Sequence, residues 1–308
     1  MTTIVASMAH ISKIIPCPPE HRREALLHLA KSQSSKGQKA LTEALKPMLK
    51  EPETAWQSLW VSLERGRING VVWVQRLPQN MAQLWLPNSQ GDHISALIET
   101  ARHWVMQQRL TLCHIELAPE ATHQRAQLIA HGMQPLVSLR CLKADVGQRF
   151  PAAAPFTQLH WAPWDRLTAA QEHALMAAVG QDSLDCRELR DILSINDLLA
   201  GFYGQDSHAP VHWHALYADE SPSPIGALLL APRSEINRWE LMLMGLVPEW
   251  RRRGLGGHIL NHALALAQQA GALELLLSVD HENLPAFNLY RRAGFSEYAQ
   301  QYVMAWHG

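Results

Sequence analysis

Apolar positions along the chain fall into two periods. Short runs that alternate, or are apolar throughout, predict strands. In the first half these are "WVSLE" (60–64), "VVWVQ" (71–75), "MAQLWL" (81–86), "LTLCHIEL" (110–117) and "LVSLRCLKA" (136–144). In the second half they are "WHALY" (213–217), "IGALLL" (225–230), "WELMLMGLV" (239–247), "LELLLSV" (273–279) and "YAQQYVMAW" (298–306). Three- and four-residue spacings predict helices over 22–32, 93–107, 120–131, 167–179 and 284–294, with one or two more in 182–203. Another helix follows residue 254: Ile259, Leu260, Ala263, Leu264, Leu266, Ala267 and Ala270 share one face, and Gly271 is a natural stop.

The two halves repeat one order of elements. Aligning "HGM" at 131–133 with "AGF" at 293–295 gives an offset of 162 residues, which also aligns the preceding strands. We read an internal duplication. "RFPAAAPF" (149–156) is the expected linker, giving domains at 1–150 and 151–308. Strands interleaved with helices make the fold class α/β.

Composition narrows the function classes. The chain has 308 residues, 47% apolar and 18% charged, as a globular protein with a substantial core requires. A net charge of −1 argues against a broad nucleic-acid surface, so any anion site must be local. Cys17, Cys113, Cys141 and Cys186 form no C-x-x-C pair, so neither a disulfide framework nor a zinc site is expected, and a cytoplasmic setting is. The start, "MTTIVASMAHISKIIPCPP", carries no signal-peptide pattern, and no apolar run approaches the roughly 20 residues of a membrane helix. His212-x-His214 is a tempting metal pair on a strand face, but no third ligand is evident, and no metal is expected.

The densest charge lies in "WRRRGLGGHIL" (250–260), where three arginines meet three glycines between a predicted strand and a predicted helix. The first N–H groups of a helix lack intrahelical partners, and the helix dipole adds positive potential there. Glycines let the backbone approach a phosphate closely. A glycine-capped basic turn has the same composition, so spacing has to decide. No Lys-Ser/Thr follows the glycines, as a Walker A loop requires, and there is no G-x-G-x-x-G. Arg251-x-x-Gly254-x-Gly256 instead resembles R/Q-x-x-G-x-G/A, the coenzyme A pyrophosphate signature of the GNAT superfamily of N-acetyltransferases. It follows "LMGLVPEW". "NLPAFNLYRRAGF" begins 27 residues after Gly256 and resembles the family's second signature through Asn283, Ala286, Leu289, Tyr290, Gly294 and Phe295.

The resemblance implies an α+β mixed-sheet GNAT fold: two tandem GNAT-like domains, each a mostly antiparallel mixed sheet flanked by helices. It implies acetyl-CoA as co-substrate. Backbone groups of Leu246 and Val247 would hold the pantetheine, and Gly245 would sit at a bulge. The charge of Arg251, Arg252 and Arg253 and the amides of Arg252, Arg253, Gly254, Leu255, Gly256 and Gly257 would hold the pyrophosphate, with Asn283 near the pantetheine. Acetyl transfer by direct attack needs a neutral nucleophile, an oxyanion site and a proton for the thiolate. Tyr290 is the candidate general acid. Glu240 is the candidate base, on a face shared with Met242 and Met244 whose apolar side chains would raise its pKa. A solvent-end or salt-bridged glutamate reads the same, and His281 is a substitute. A backbone N–H of the 239–247 strand would meet the oxyanion.

The first half lacks these groups. Its loop, "LPNSQGDHIS" (86–95), is shorter, has no arginine and places Asp92 where phosphate would sit. At the 162-residue offset Ala121 stands for Asn283 and Leu128 for Tyr290. We expect a degenerate GNAT-like domain, as in tandem members of the family. The reading is an acyl-CoA-dependent N-acyltransferase acting on a small-molecule amine or peptide. The alternative is an acyl-CoA sensor or scaffold, which would need neither Glu240 nor Tyr290. Asp182, Asp185, Glu188, Asp191 and Asp197, in the segment expected to line the acceptor, suit a cationic amine.

Overall fold

The computed structural model describes residues 13–33, 35–87, 89, 91–147, 158–205, 208–233 and 237–307. The expected linker, 149–156, lies outside them. The chain forms two compact units: Met1–Gln134 with Met304–Gly308, and Pro135–Val303.

In the first unit β1 (Lys13–Pro16), α1 (Arg22–Lys31) and α2 (Ser35–Met48) precede β2 (Leu59–Glu64), β3 (Arg67–Leu77) and β4 (Met81–Trp85). Then come α3 (Asp92–Gln107), β5 (Leu112–Leu117) and α4 (Thr122–Ala130). The strands lie in sequence order and pair antiparallel, except β4 with β5, which are parallel. Trp73 is the centre of the core. It stacks on Trp56 at 6.4 Å and on Trp85 at 6.3 Å. The Trp85 indole N–H donates to Gln75 Oε1 at 2.9 Å, which satisfies its polar edge. The hydrophobic pattern did not bring out β1 or α2, although Leu41, Ala44, Leu45 and Met48 of α2 are spaced as a helical face and pack on this core.

The second unit contains β6 (Gln134–Asp145) from its second residue onward, then β7 (Leu159–Pro163), α5 (Ala169–Gly180), α6 (Arg187–Ile192) and α7 (Ile195–Gln205). β8 (His214–Ala218), β9 (Gly226–Arg233), β10 (Arg238–Leu246), α8 (Leu255–Gln269), β11 (Glu274–Asp280), α9 (Leu284–Arg292) and β12 (Ser296–His307) complete it. Its strand order is β12-β6-β11-β10-β9-β8-β7, with β10 and β11 parallel and β6 antiparallel to β11. The sequence pattern assigned β6 to the first half. In the structure it is the neighbour of β11, while the last residues of β12 count with the first unit. Both strands are apolar enough to fill either position.

The β9 side chains sort the two cores of this unit by parity. Leu228 and Leu230 pack with α8, while Ala227, Leu229 and Ala231 pack with α5 and α7. A capping box starts α5: the Thr168 N–H donates to Gln171 Oε1 at 2.9 Å, and Gln171 N–H returns to Thr168 Oγ1 at 3.3 Å.

The bulge on β10 is at Met242, between Leu241 and Leu243, not at the expected Gly245, which pairs regularly with Ala227. Gly245 has a different purpose. A Cβ there would lie 2.3 Å from Val179 Cγ1, so the absent side chain is what lets α5 sit against β10. The bulge also flips the side-chain parity. Met242 and Leu243 pack on the α5 side and Met244 on the α8 side, so Met244 does not share a face with Glu240 and Met242 as expected.

Candidate active site

Strands β10 and β11 pair only from Arg238–Glu274 to Leu241–Leu277. Beyond that β10 continues with β9 to Leu246, and β11 continues with β6 to Asp280. The two central strands therefore part, and residues 242–246 and 278–280 face a wedge with no ladder across it. The bulge at Met242 coincides with the parting.

The loop at the end of β10 runs through a turn at Pro248–Trp250 into α8. Arg252 has φ 61 and Gly254 φ 80, so the chain takes two left-handed residues to aim the helix. Leu255, Gly256 and Gly257 then begin α8 with N–H groups that have no intrahelical acceptor. A Cβ at Gly254 or Gly257 would meet nothing within 4 Å, and one at Gly256 would touch Leu289 Cδ2 at 3.1 Å. An open cradle of amides beside the wedge fits a diphosphate.

The arginines divide their work. Arg252 and Arg253 are exposed at the loop, and the Arg253 guanidinium lies 4.6 Å from the Trp250 ring centre. Arg251 turns away. Its Nε donates to Leu246 O at 2.9 Å and its Nη2 to Val179 O at 3.0 Å. Arg190 Nη1 donates to Gly180 O at 2.6 Å, so two guanidiniums hold the C-terminal carbonyls of α5. Of the residues expected to bind pantetheine, Val247 already donates its N–H to Ile225 O at 2.9 Å. By the alternation of an antiparallel ladder, Leu246 turns its N–H the other way, to the wedge.

Tyr290 is 7% exposed, held by α9 against Phe295 at a ring separation of 5.7 Å. Its hydroxyl makes no hydrogen bond among the described residues. Burial, and after it the negative charge of Asp185, push its pKa well above the ordinary phenol value. The proton therefore stays on the oxygen. Asn283 caps α9, its Oδ1 accepting from Ala286 N–H at 3.2 Å.

Glu240 is not in apolar surroundings as expected. Arg233 Nε donates to its Oε2 at 2.9 Å across the β9–β10 ladder, and both side chains are about a third exposed (32% and 33%). His281 is exposed, and Arg140 Nε lies 3.0 Å from its Nδ1. His212 stands in the turn before β8 with its ring 4.6 Å from Trp239, so it shares no strand face with His214. The residue that sequence reasoning underweighted is Asp185. It belongs to the acidic segment noted above, but only the fold carries its carboxylate to the wedge, where Asp280 N–H donates to its Oδ1 at 2.8 Å.

Comparison with known proteins agrees with this geometry. The profile of the acetyltransferase (GNAT) family matches residues 176–295. Those residues are thus similar to a GNAT domain. They include the wedge, the loop at 250–257, Asn283 and Tyr290. A mycothiol acetyltransferase of Corynebacterium aurimucosum is 31% identical over 106 residues, 34% of this chain and 30% of that protein. A second, of Geodermatophilus obscurus, is 29% identical over 90 residues, 29% of this chain and 25% of that protein. The aligned stretches thus span less than a third of these relatives. The likeness in fold extends over the whole chain. A GCN5-related N-acetyltransferase from Sphaerobacter thermophilus superposes with TM-score 0.66 at 15% identity, over 96% of this chain and 95% of that one. A tandem GNAT protein from the clavulanic acid biosynthesis pathway does so with TM-score 0.57 at 12% identity, over 96% and 98%.

Proposed function

We propose that the chain is an N-acyltransferase that moves acetyl from acetyl-CoA to a primary amine by direct attack. The observation that carries this is the Tyr290 phenol, buried beside the parted strands with its proton retained and no hydrogen-bond partner among the described residues. A sensor of acyl-CoA has no use for such a group. In this reading the amides of Arg252 to Gly257 hold the pyrophosphate, with Arg252 and Arg253 supplying charge. Leu246 N–H and the Asn283 region line the pantetheine. Arg251 acts by fixing the end of β10. A β10 N–H meets the oxyanion, and Tyr290 protonates the departing thiolate. The first half, without arginines in its loop and with Leu128 at the phenol position, binds no acyl-CoA productively.

Isothermal titration with acetyl-CoA, followed by CoA release with a panel of primary amines and peptides, tests the reading. Binding with turnover is expected. Binding without turnover for any acceptor would identify a sensor, and no binding would remove the reading altogether.

A further inference from the structure

We propose that Asp185 takes the proton from the incoming ammonium group of the acceptor, working opposite Tyr290 across the wedge. The inference rests on the acyltransferase reading and adds the proton acceptor and the charge class of the acceptor to it.

Asp185 is held where it is by strained, heavily specified backbone. The connection from α5 to α6 contains two left-handed non-glycine residues, Asp182 at φ 50 and Cys186 at φ 44. Such conformations persist only where the surroundings fix them, and they cluster at functional sites. Here two carboxylates fix them reciprocally. Asp280 N–H donates to Asp185 Oδ1 at 2.8 Å, and Cys186 N–H donates to Asp280 Oδ2 at 3.1 Å. Glu282 N–H donates to Asp280 Oδ1 at 2.9 Å. The loop is thus clasped to the end of β11, where β11 has left β10. Asp280, Cys186 and Asp185 offer ligand atoms all within 4.8 Å of one another, but both Asp280 oxygens already accept amide protons.

The second observation is independent of the acidic cluster. The Tyr290 side chain is more than nine-tenths buried, its hydroxyl has no partner among the described residues, and it feels the charge of Asp185. The Tyr290 hydroxyl is thus an unspent donor near Asp185, whose carboxylate accepts from the Asp280 N–H and the Asn283 amide and keeps further lone pairs, of about four in all, for a proton. Burial and the neighbouring Asp280 raise the Asp185 pKa, while the Asp280 N–H and the Asn283 amide favour its charged form. This suits a group that must accept a proton and later release it. The rivals face cations, Glu240 the Arg233 guanidinium and His281 that of Arg140, whereas the donors to Asp185 are neutral amides.

The step balances as follows. One proton passes from R–NH3+ to Asp185 and on to solvent. The free amine forms the C–N bond as the C–S bond breaks. The thiolate takes its proton from Tyr290, and the phenolate recovers one from the nitrogen of the new amide. The net products are amide, thiol and one released proton.

The test pairs primary alkylamines, which are ammonium ions at pH 7, with isosteric O-alkylhydroxylamines, which are neutral there. Asn at 185 keeps an oxygen for the Asp280 N–H, so Asp185→Asn should fold. It should lose about 10²-fold in kcat with the alkylamines, and far less with the hydroxylamines, while acetyl-CoA affinity stays unchanged. The same protein serves both acceptors, so a general structural defect would lower both rates alike and overturn the proposal. A selective loss in Glu240→Gln instead would also overturn it, as would acetyl-CoA binding with no alkylamine turned over by the wild type. Failure of the wild type to bind acetyl-CoA would overturn the underlying reading, and the proposal with it.

Discussion

The Arg251 guanidinium donates to Val179 O at 3.0 Å, tying the last turn of α5 to the end of β10. With its second bond, to Leu246 O, the side chain closes a bracket between elements 72 residues apart in sequence. Hydrogen bonds from a charged donor contribute about 1.5–3 kcal/mol when buried, less where solvent reaches them. Arg251→Ala should cost on the order of 2 kcal/mol in a denaturant melt and weaken acetyl-CoA binding with little dependence on salt. Arg252→Ala and Arg253→Ala should leave the melt unchanged and weaken binding most at low ionic strength. A strongly salt-dependent loss in Arg251→Ala would mean that its charge, not its bracing, is what the ligand meets.

Gly245 and Val179 should behave as a coupled pair. Gly245→Ala places a methyl group 2.3 Å from Val179 Cγ1 and should destabilise by about 1–3 kcal/mol. Val179→Ala removes the obstacle, so the double variant should be more stable than additivity allows. Additive losses in the double-mutant cycle would show that the strand, not the valine, refuses the alanine.

Tyr290→Phe removes a hydroxyl that makes no hydrogen bond among the described residues. Its melt should match the wild type and its affinity for acetyl-CoA should hold, while kcat drops about 10²-fold. Equal turnover by the two proteins would relieve the phenol of any role in protonating the thiolate.

An aromatic cluster between α8 and strands β7 and β8 should make stability depend on pH. The Trp161 ring lies 4.2 Å from His262 and 6.0 Å from His258, and His214 is edge-on to His262 at 5.3 Å. Burial, then His214 and His258, push His262 down to about 4 from 6.5, and burial also lowers His214 and His258. A base with a depressed folded pKa is protonated more readily in the unfolded chain. Stability is then complete above pH 6.5 and falls as pH drops toward 4. The ceiling is about 1.4 kcal/mol per pH unit per imidazole. Solvent exposure reduces this to on the order of 1–2 kcal/mol in all. Melts at pH 7 and pH 4.5 should differ accordingly, and by less in His262→Phe. An unchanged difference in that variant would place the titrating groups elsewhere.

What could be read from the sequence was local. The strand, the glycine loop and α8 follow one another within 32 residues from Arg238 to Gln269, and their residue types state their own purpose. Tyr290 and Asn283 were legible for the same reason, inside one short signature. Partners far apart in the chain were not. Nothing near Arg251 marks Val179 as its acceptor, and nothing near Glu240 marks Arg233 as a cross-strand cation. The bulge at Met242 has no sequence marker, because methionine suits a regular strand as well as an irregular one. Asp185 stood among five acidic residues of similar appearance, and only the fold distinguishes it from Asp197, which spends its carboxylate on Ser194 at the start of α7.

The place of β6 has a consequence for how the gene can change. Its register with β11 runs from Asp145–Glu274 to Leu139–Asp280, so the second unit takes a flank of β11 from residues upstream of the expected linker. Deleting everything before residue 150 would bare that side of β11, leaving a row of unsatisfied amides and carbonyls open to aggregation. Residues upstream of 150 are thus indispensable as scaffolding for β11, whatever chemistry they carry themselves.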